Sequence, residues 1–158
     1  MATPISLREF ITIRAGTGKP RGRITTMFLR AFNAPTLASF WHYWNPVYGY
    51  LLARYVYRPA RKFLPRSIAV IWTFSCSGLF LHDLPFIWLP RLLQGRGIPL
   101  PIFMVWFIYI SLGLIMVESS GFGFRSWNKP TRILAHFLFL GATLLLASIT
   151  LTHLAFLI

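Results

Sequence analysis

Residues 67–90 read SIAVIWTFSCSGLFLHDLPFIWLP, and this stretch decides the fold. Its only ionisable side chains are Cys76, His82 and Asp83. As a helix rising about 1.5 Å per residue, a run of this length covers the hydrocarbon core of a bilayer, about 30 Å thick. Pro85 lacks a backbone N–H, which predicts a kink near Leu81.

Working outward, the same arithmetic applies twice more. Arg91 to Gly97 is a short basic turn, and Ile98 to Val117 carries no charge at all. Glu118 to Arg132 is a polar loop containing Gly121, Gly123 and Pro130. Ile133 to Ile158 is apolar again, with His136 and His153 inside it. The expected class is an all-α integral membrane protein with three spans, 67–90, 98–117 and 133–158, in one membrane domain over 36–158. A basic segment, 1–35, precedes that domain.

Composition agrees. The 158 residues are 56% hydrophobic and 12% charged, where a soluble domain has about 25% charged. The net charge of +13 comes from 16 Lys and Arg against 3 Asp and Glu. Nucleic-acid binders cluster such charge on a soluble core. Here the charge flanks apolar runs, so a nucleic-acid partner is excluded. Eleven of the basic residues fall at or before Arg66, three lie between 118 and 132, and two, Arg91 and Arg96, lie between them. Positive residues favour the cytoplasmic side, which predicts a cytoplasmic N-terminus in a bacterial inner membrane or an endomembrane. The single Cys76 excludes an internal disulfide and reads as a small buried hydrophobe. Met1 to Ala15 lacks a continuous apolar core and does not read as a cleavable signal. Thr17 to Arg23 reads as a solvated basic loop near anionic lipid, since Pro20 and Ile13 break any phosphate-loop pattern.

Residues 36–62 are dense in aromatic side chains, among them Phe40, Trp41, Tyr43, Trp44, Tyr48 and Tyr55. Asn45-Pro46 divides them. Proline suits a first helical position and biases its predecessor toward extended geometry, so Asn45 is placed as an N-cap. The helix after it, to about Arg58, puts Tyr48, Leu52 and Tyr55 on one face and Arg54, Arg58 and Arg61 on another. That predicts an amphipathic, partly inserted helix.

His82 and Asp83 ask for an explanation, because a charge at bilayer depth costs about 2.5–3.5 kcal/mol. Ser75, Gly78 and Leu79 share the helical face of His82, with Ser77 nearby, a small and weakly polar surface with room for a substrate or a close helix neighbour. Asp83 lies about 100° around the helix. It is expected to pair with Arg54 or Arg58 rather than to form a dyad with His82. The plain reading of His82 is a buried histidine bonded to a carbonyl, and that of Asn45 a simple cap. His136 and His153 are too far apart to share a metal ion, so no metal site is expected.

Three stretches together resemble a known family. They are Ser39 to Val47 (SFWHYWNPV), Tyr57-Arg58-Pro59, and Thr73 to Asp83 (TFSCSGLFLHD). An aromatic motif ending in Trp-Asn, then an apolar helix with histidine and an acidic residue, resembles the membrane-bound O-acyltransferase superfamily. The likeness is to its sterol, diacylglycerol and wax-synthase-like branch, and it covers about residues 36–90. The resemblance implies that His82 acts as general base on a substrate hydroxyl and that Asn45 holds the acyl carbonyl or orients His82. It implies acyl-CoA as co-substrate with no tightly bound cofactor, and a lipid or other hydroxyl acceptor. Arg54 and Arg58 would meet the phosphates of coenzyme A. Trp41, Trp44, Ser75 and Asp83 are further candidate substrate contacts, although tryptophans near a membrane surface serve equally as interfacial packing. Members of the family are several times longer, so the resemblance leaves three expectations: a fragment, a chain whose site a partner subunit or second copy completes, or a descendant without activity. The competing readings are a non-catalytic membrane subunit or scaffold that keeps the motif for packing, and, more weakly, a transporter component.

Overall fold

The computed structural model describes residues 6–15 and 20–157, and among these it is helical with no strand. The N-terminal helix, α1 (Leu7–Ala15), starts with a reciprocal cap. Ser6 Oγ accepts the N–H of Glu9, and the Glu9 carboxylate accepts the N–H of Ser6. Helix α2 (Pro20–Phe32) opens on a proline, whose missing N–H is needless at a first helical position. Residues 20–23, expected in a basic loop, thus begin a helix, and the remainder of that expected loop, 17–19, lies outside the described residues.

Helix α3 (Leu37–Tyr43) is capped by Thr36, whose hydroxyl accepts the N–H of Ser39 at 3.0 Å. Helix α4 (Pro46–Leu52) runs through a π-helical turn, Ala53–Tyr57, into α5 (Arg58–Ala60). The 36–62 region is therefore two helices hinged at Trp44-Asn45. The first is too short to be more than a lead-in.

Three helical segments are long and apolar enough to cross a membrane: Arg66–Leu93, Ile102–Ser119 and Lys129–Phe156. Only 22%, 22% and 17% of their apolar windows are buried inside the chain, so most of that surface faces outward. Trp72, Phe80, Phe86 and Leu138 are among the exposed side chains. Hydrocarbon is the solvent that accepts such a surface. The protein is an integral membrane protein.

The first segment is composite. Helix α6 (Arg66–Gly78) passes into a π-helical stretch, Leu79–Trp88, and then into α7 (Leu89–Leu93). In place of a simple kink, the widened stretch accommodates Pro85, which supplies no N–H to the ladder. Pro99 and Pro101 delay the second segment, so α8 (Ile102–Ser119) starts four residues later than the apolar run. Helix α9 (Lys129–Leu157) is the third, with Asn128 accepting the N–H of Thr131 at 3.0 Å.

Helix α8 packs against α6 on one side and α9 on the other. Gly78 and Gly113 allow this closeness. A methyl on Gly78 would lie 2.5 Å from the Phe103 carbonyl oxygen, and one on Gly113 would lie 2.7 Å from the Phe139 ring. Helices α2 and α3 seal the end of α9 through a small core of Ala31, Ala34 and Phe40. His136 is buried there, bonded through Nε2 to the Ala34 carbonyl at 3.0 Å and set against the Phe40 ring.

Candidate functional site

Asn45 and His82 line one cavity of about 410 Å³. It lies between α3, α4, α6 and the π-helical stretch, with α1 contributing Arg14 and α8 contributing Phe107. Trp41 and Trp44 form part of its wall, with Tyr48, Thr73 and Ser77 adding polar atoms.

The loop between α3 and α4 aims Asn45. Its backbone is left-handed, φ 39° and ψ 75°, rather than the extended geometry expected before proline. Asparagine tolerates this region better than most side chains, and the turn between two short helices demands it. The side-chain Oδ1 accepts the N–H of Tyr48 at 3.3 Å, as an N-cap should. No described residue bonds to its Nδ2, so the amide retains two free donors.

The π-helical stretch aims His82. Its Nδ1 lies 2.9 Å from the Ser77 carbonyl oxygen. A carbonyl only accepts, so the ring donates from Nδ1, and in the neutral ring Nε2 carries the lone pair. Phe103 and Phe107 pack on the ring at centroid distances of 5.4 and 5.0 Å, and Tyr48 meets it at 6.1 Å, nearly perpendicular. The α-helical spacing used above placed Ser75 and Gly78 on the face of His82. The widened register brings Ser77, five residues back, beneath the ring instead. Ser75 bonds its own helix at the Ile71 carbonyl and does not line the cavity, while Gly78 faces α8.

Asp83 departs from expectation. It is fully buried, and neither Arg54 nor Arg58 reaches it. Its Oδ1 accepts the N–H of Phe103 at 3.0 Å and its Oδ2 the N–H of Met104 at 2.8 Å. The first turn of a helix has unpaired N–H groups, and Pro101 at the cap of α8 has no side chain to satisfy them. A carboxylate from the neighbouring span does so instead, helped by the positive end of the helix dipole. Asp83 does not line the cavity. Arg54 donates to the Tyr50 hydroxyl at 2.8 Å, and Arg58 is exposed; neither lines the cavity.

Arg14 is the charged lining residue, and reading along the sequence did not single it out. It is half-buried, its guanidinium stacks 3.9 Å from the Phe10 ring centre, and one nitrogen donates to the His42 carbonyl at 2.8 Å. Burial lowers its pKa. The His42 imidazole, also in the lining, is held below the usual histidine value, first by burial and then by the Arg14 charge. No local pattern marks Arg14, because its place in the wall depends on how α1 leans on α4. Among the described residues no group of three His, Cys, Asp or Glu side chains is placed to hold a metal ion.

The profile of the membrane-bound O-acyltransferase family matches residues 12–98. The chain belongs to the membrane-bound O-acyltransferase family. The matched region holds every cavity-lining residue of this O-acyltransferase family member except Phe107 of α8. It also contains Asp83, whose contact carries the matched region onto the second span. No curated protein and no solved structure matches the chain.

Proposed function

We propose that the protein transfers an acyl group from a thioester, acyl-CoA being the expected donor, to a hydroxyl acceptor within the membrane, with His82 as general base and Asn45 as carbonyl partner. The single observation that carries this reading is that both side chains line one cavity while their remaining polar atoms, Nε2 and Nδ2, have no described protein partner.

The chemistry follows from those atoms. His82 Nε2 accepts the proton of the acceptor hydroxyl as its oxygen attacks the thioester carbonyl carbon. A C–O bond forms, the C–S bond breaks, and the proton passes from Nε2 to the departing sulfur. Negative charge develops on the carbonyl oxygen meanwhile, and the Asn45 Nδ2 donates to it. The Ser77 carbonyl holds the ring in the required tautomer and supports the imidazolium that forms transiently. The apolar walls of Phe74, Phe107, Trp41 and Trp44 suit an acyl chain and exclude water from the reactive thioester. The distribution of positive residues supports a cytoplasmic N-terminus.

One observation favours the alternative, a non-catalytic membrane subunit. Asn45 and His82 each also make a local backbone bond that serves the fold by itself. The two readings separate in one experiment. Purified protein in detergent is given labelled acyl-CoA and a panel of lipid alcohols. Acyl transfer that falls at least about a hundredfold in His82→Ala, with unchanged folding, supports catalysis. Equal transfer in both forms, or none in wild type across the panel, sinks it.

A further inference from the structure

We propose that Arg14 is an anion-binding residue of the cavity, holding a phosphate or carboxylate oxygen of the molecule that occupies it. The inference deepens the acyl-transfer reading and rests on that cavity being the substrate site.

The charge balance of the chain leaves Arg14 without an acidic partner. The sequence has three acidic residues, Glu9, Asp83 and Glu118. Glu9 is engaged with Ser6 in the cap of α1. Asp83 is sealed against the first turn of α8. Glu118 pairs with Arg66 at 2.8 Å. No carboxylate side chain therefore remains to neutralise Arg14. Most of the other described cations stand exposed, where water or lipid headgroups serve them. Arg14 is half-buried in a cavity wall that is otherwise neutral and largely aromatic.

The guanidinium is also held in place. One nitrogen is tied to the His42 carbonyl, the plane rests on Phe10, and Arg30 clamps the end of α1 by donating to the Ile13 and Arg14 carbonyls. A guanidinium has five N–H donors, and the described structure employs one nitrogen. A fixed, partly dehydrated cation with donors to spare recognises an oxyanion better than a mobile surface arginine does. Its burial-lowered pKa agrees, since desolvation is what an arriving anion relieves. The anion has two possible sources, the phosphates of the acyl donor or an acidic group on the acceptor.

Binding in dodecyl maltoside tests this without requiring turnover. Four probes are compared: palmitoyl-CoA against palmitoyl-pantetheine, which lacks phosphate, and palmitoyl-glycerol phosphate against monopalmitoylglycerol. Arg14→Gln removes the charge and can still donate to the His42 carbonyl. It should weaken at least one charged probe about tenfold while its neutral counterpart stays within about twofold. Loss on palmitoyl-CoA assigns the anion to the donor, and loss on palmitoyl-glycerol phosphate to the acceptor. Arg14→Lys should keep much of the charge preference, and Arg54→Gln all of it. Should Arg14→Gln not fold, competition of inorganic phosphate with the charged probe on wild type serves instead. The proposal is overturned by a wild type with no preference for the charged probe, by phosphate that does not compete, or by a preference that survives Arg14→Gln. A protein that binds in this pattern yet transfers no acyl group would refute the catalytic reading alone.

Discussion

The Asp83 carboxylate, in the first span, receives the backbone N–H of Met104, in the second, at 2.8 Å. Its other oxygen takes the N–H of Phe103. This contact caps the first turn of α8, and α8 carries the Phe103 and Phe107 rings that pack on the imidazole of His82. The acidic residue beside the histidine thus acts on the site through a neighbouring helix rather than through the imidazole.

Removing that carboxylate should loosen the pair of spans. Asp83→Ala leaves two buried N–H groups unpaired, each worth about 1–3 kcal/mol. Stability should fall by about 2 kcal/mol or more, read as a shift in the unfolding midpoint in mixed detergent and SDS. Asp83→Asn, which retains one good acceptor, should lie between. An Asp83→Ala protein as stable as wild type would show that α8 is held by apolar packing alone.

Asn45 combines a cap, a left-handed backbone and a free amide. Aspartate keeps the first two and lacks the third. Asn45→Asp should therefore hold stability within about 1 kcal/mol of wild type while losing acyl transfer. Asn45→Ala should lose both, because alanine neither caps nor favours positive φ; its stability cost is about 1–2 kcal/mol. Transfer retained in Asn45→Asp would leave Asn45 a purely structural residue.

The His42 imidazole should report the Arg14 charge. Its pKa lies below 6.5 through burial and then through Arg14. Arg14→Gln should raise it, measured by NMR titration of the histidine ring protons. The sign for stability follows from which state binds the proton first. As pH falls through about 6.5 the unfolded chain protonates His42 before the folded one does, so the folded state loses stability there. The same titration in Arg14→Gln should show a smaller loss. An unmoved His42 pKa would mean that the guanidinium charge is screened at that ring.

The three spans were legible in the sequence because insertion is close to a sum over neighbouring residues. Long apolar runs between basic turns settle which segments enter a bilayer, whatever the spans later touch. The Asn45 cap was legible for the same reason, since a cap and the proline after it act within one helical turn. The α-helical spacing misplaced the face of His82, because Leu79–Trp88 is π-helical around Pro85 and brings Ser77 rather than Ser75 to the ring. Asp83 was expected to meet an arginine, as charge balance alone suggests. Its partner is instead a helix end twenty residues on, and backbone N–H groups leave no mark in a sequence.

By itself, then, the order of residues determined a three-span membrane chain with a capped aromatic helix ahead of it. It also supplied the motif that the O-acyltransferase profile matches. Only the tertiary structure decided that Asn45, His82 and the distant Arg14 line one cavity. Local propensity and transfer energy act along the chain, whereas a cavity is what remains where helices from separate parts of the chain fail to fill the space between them.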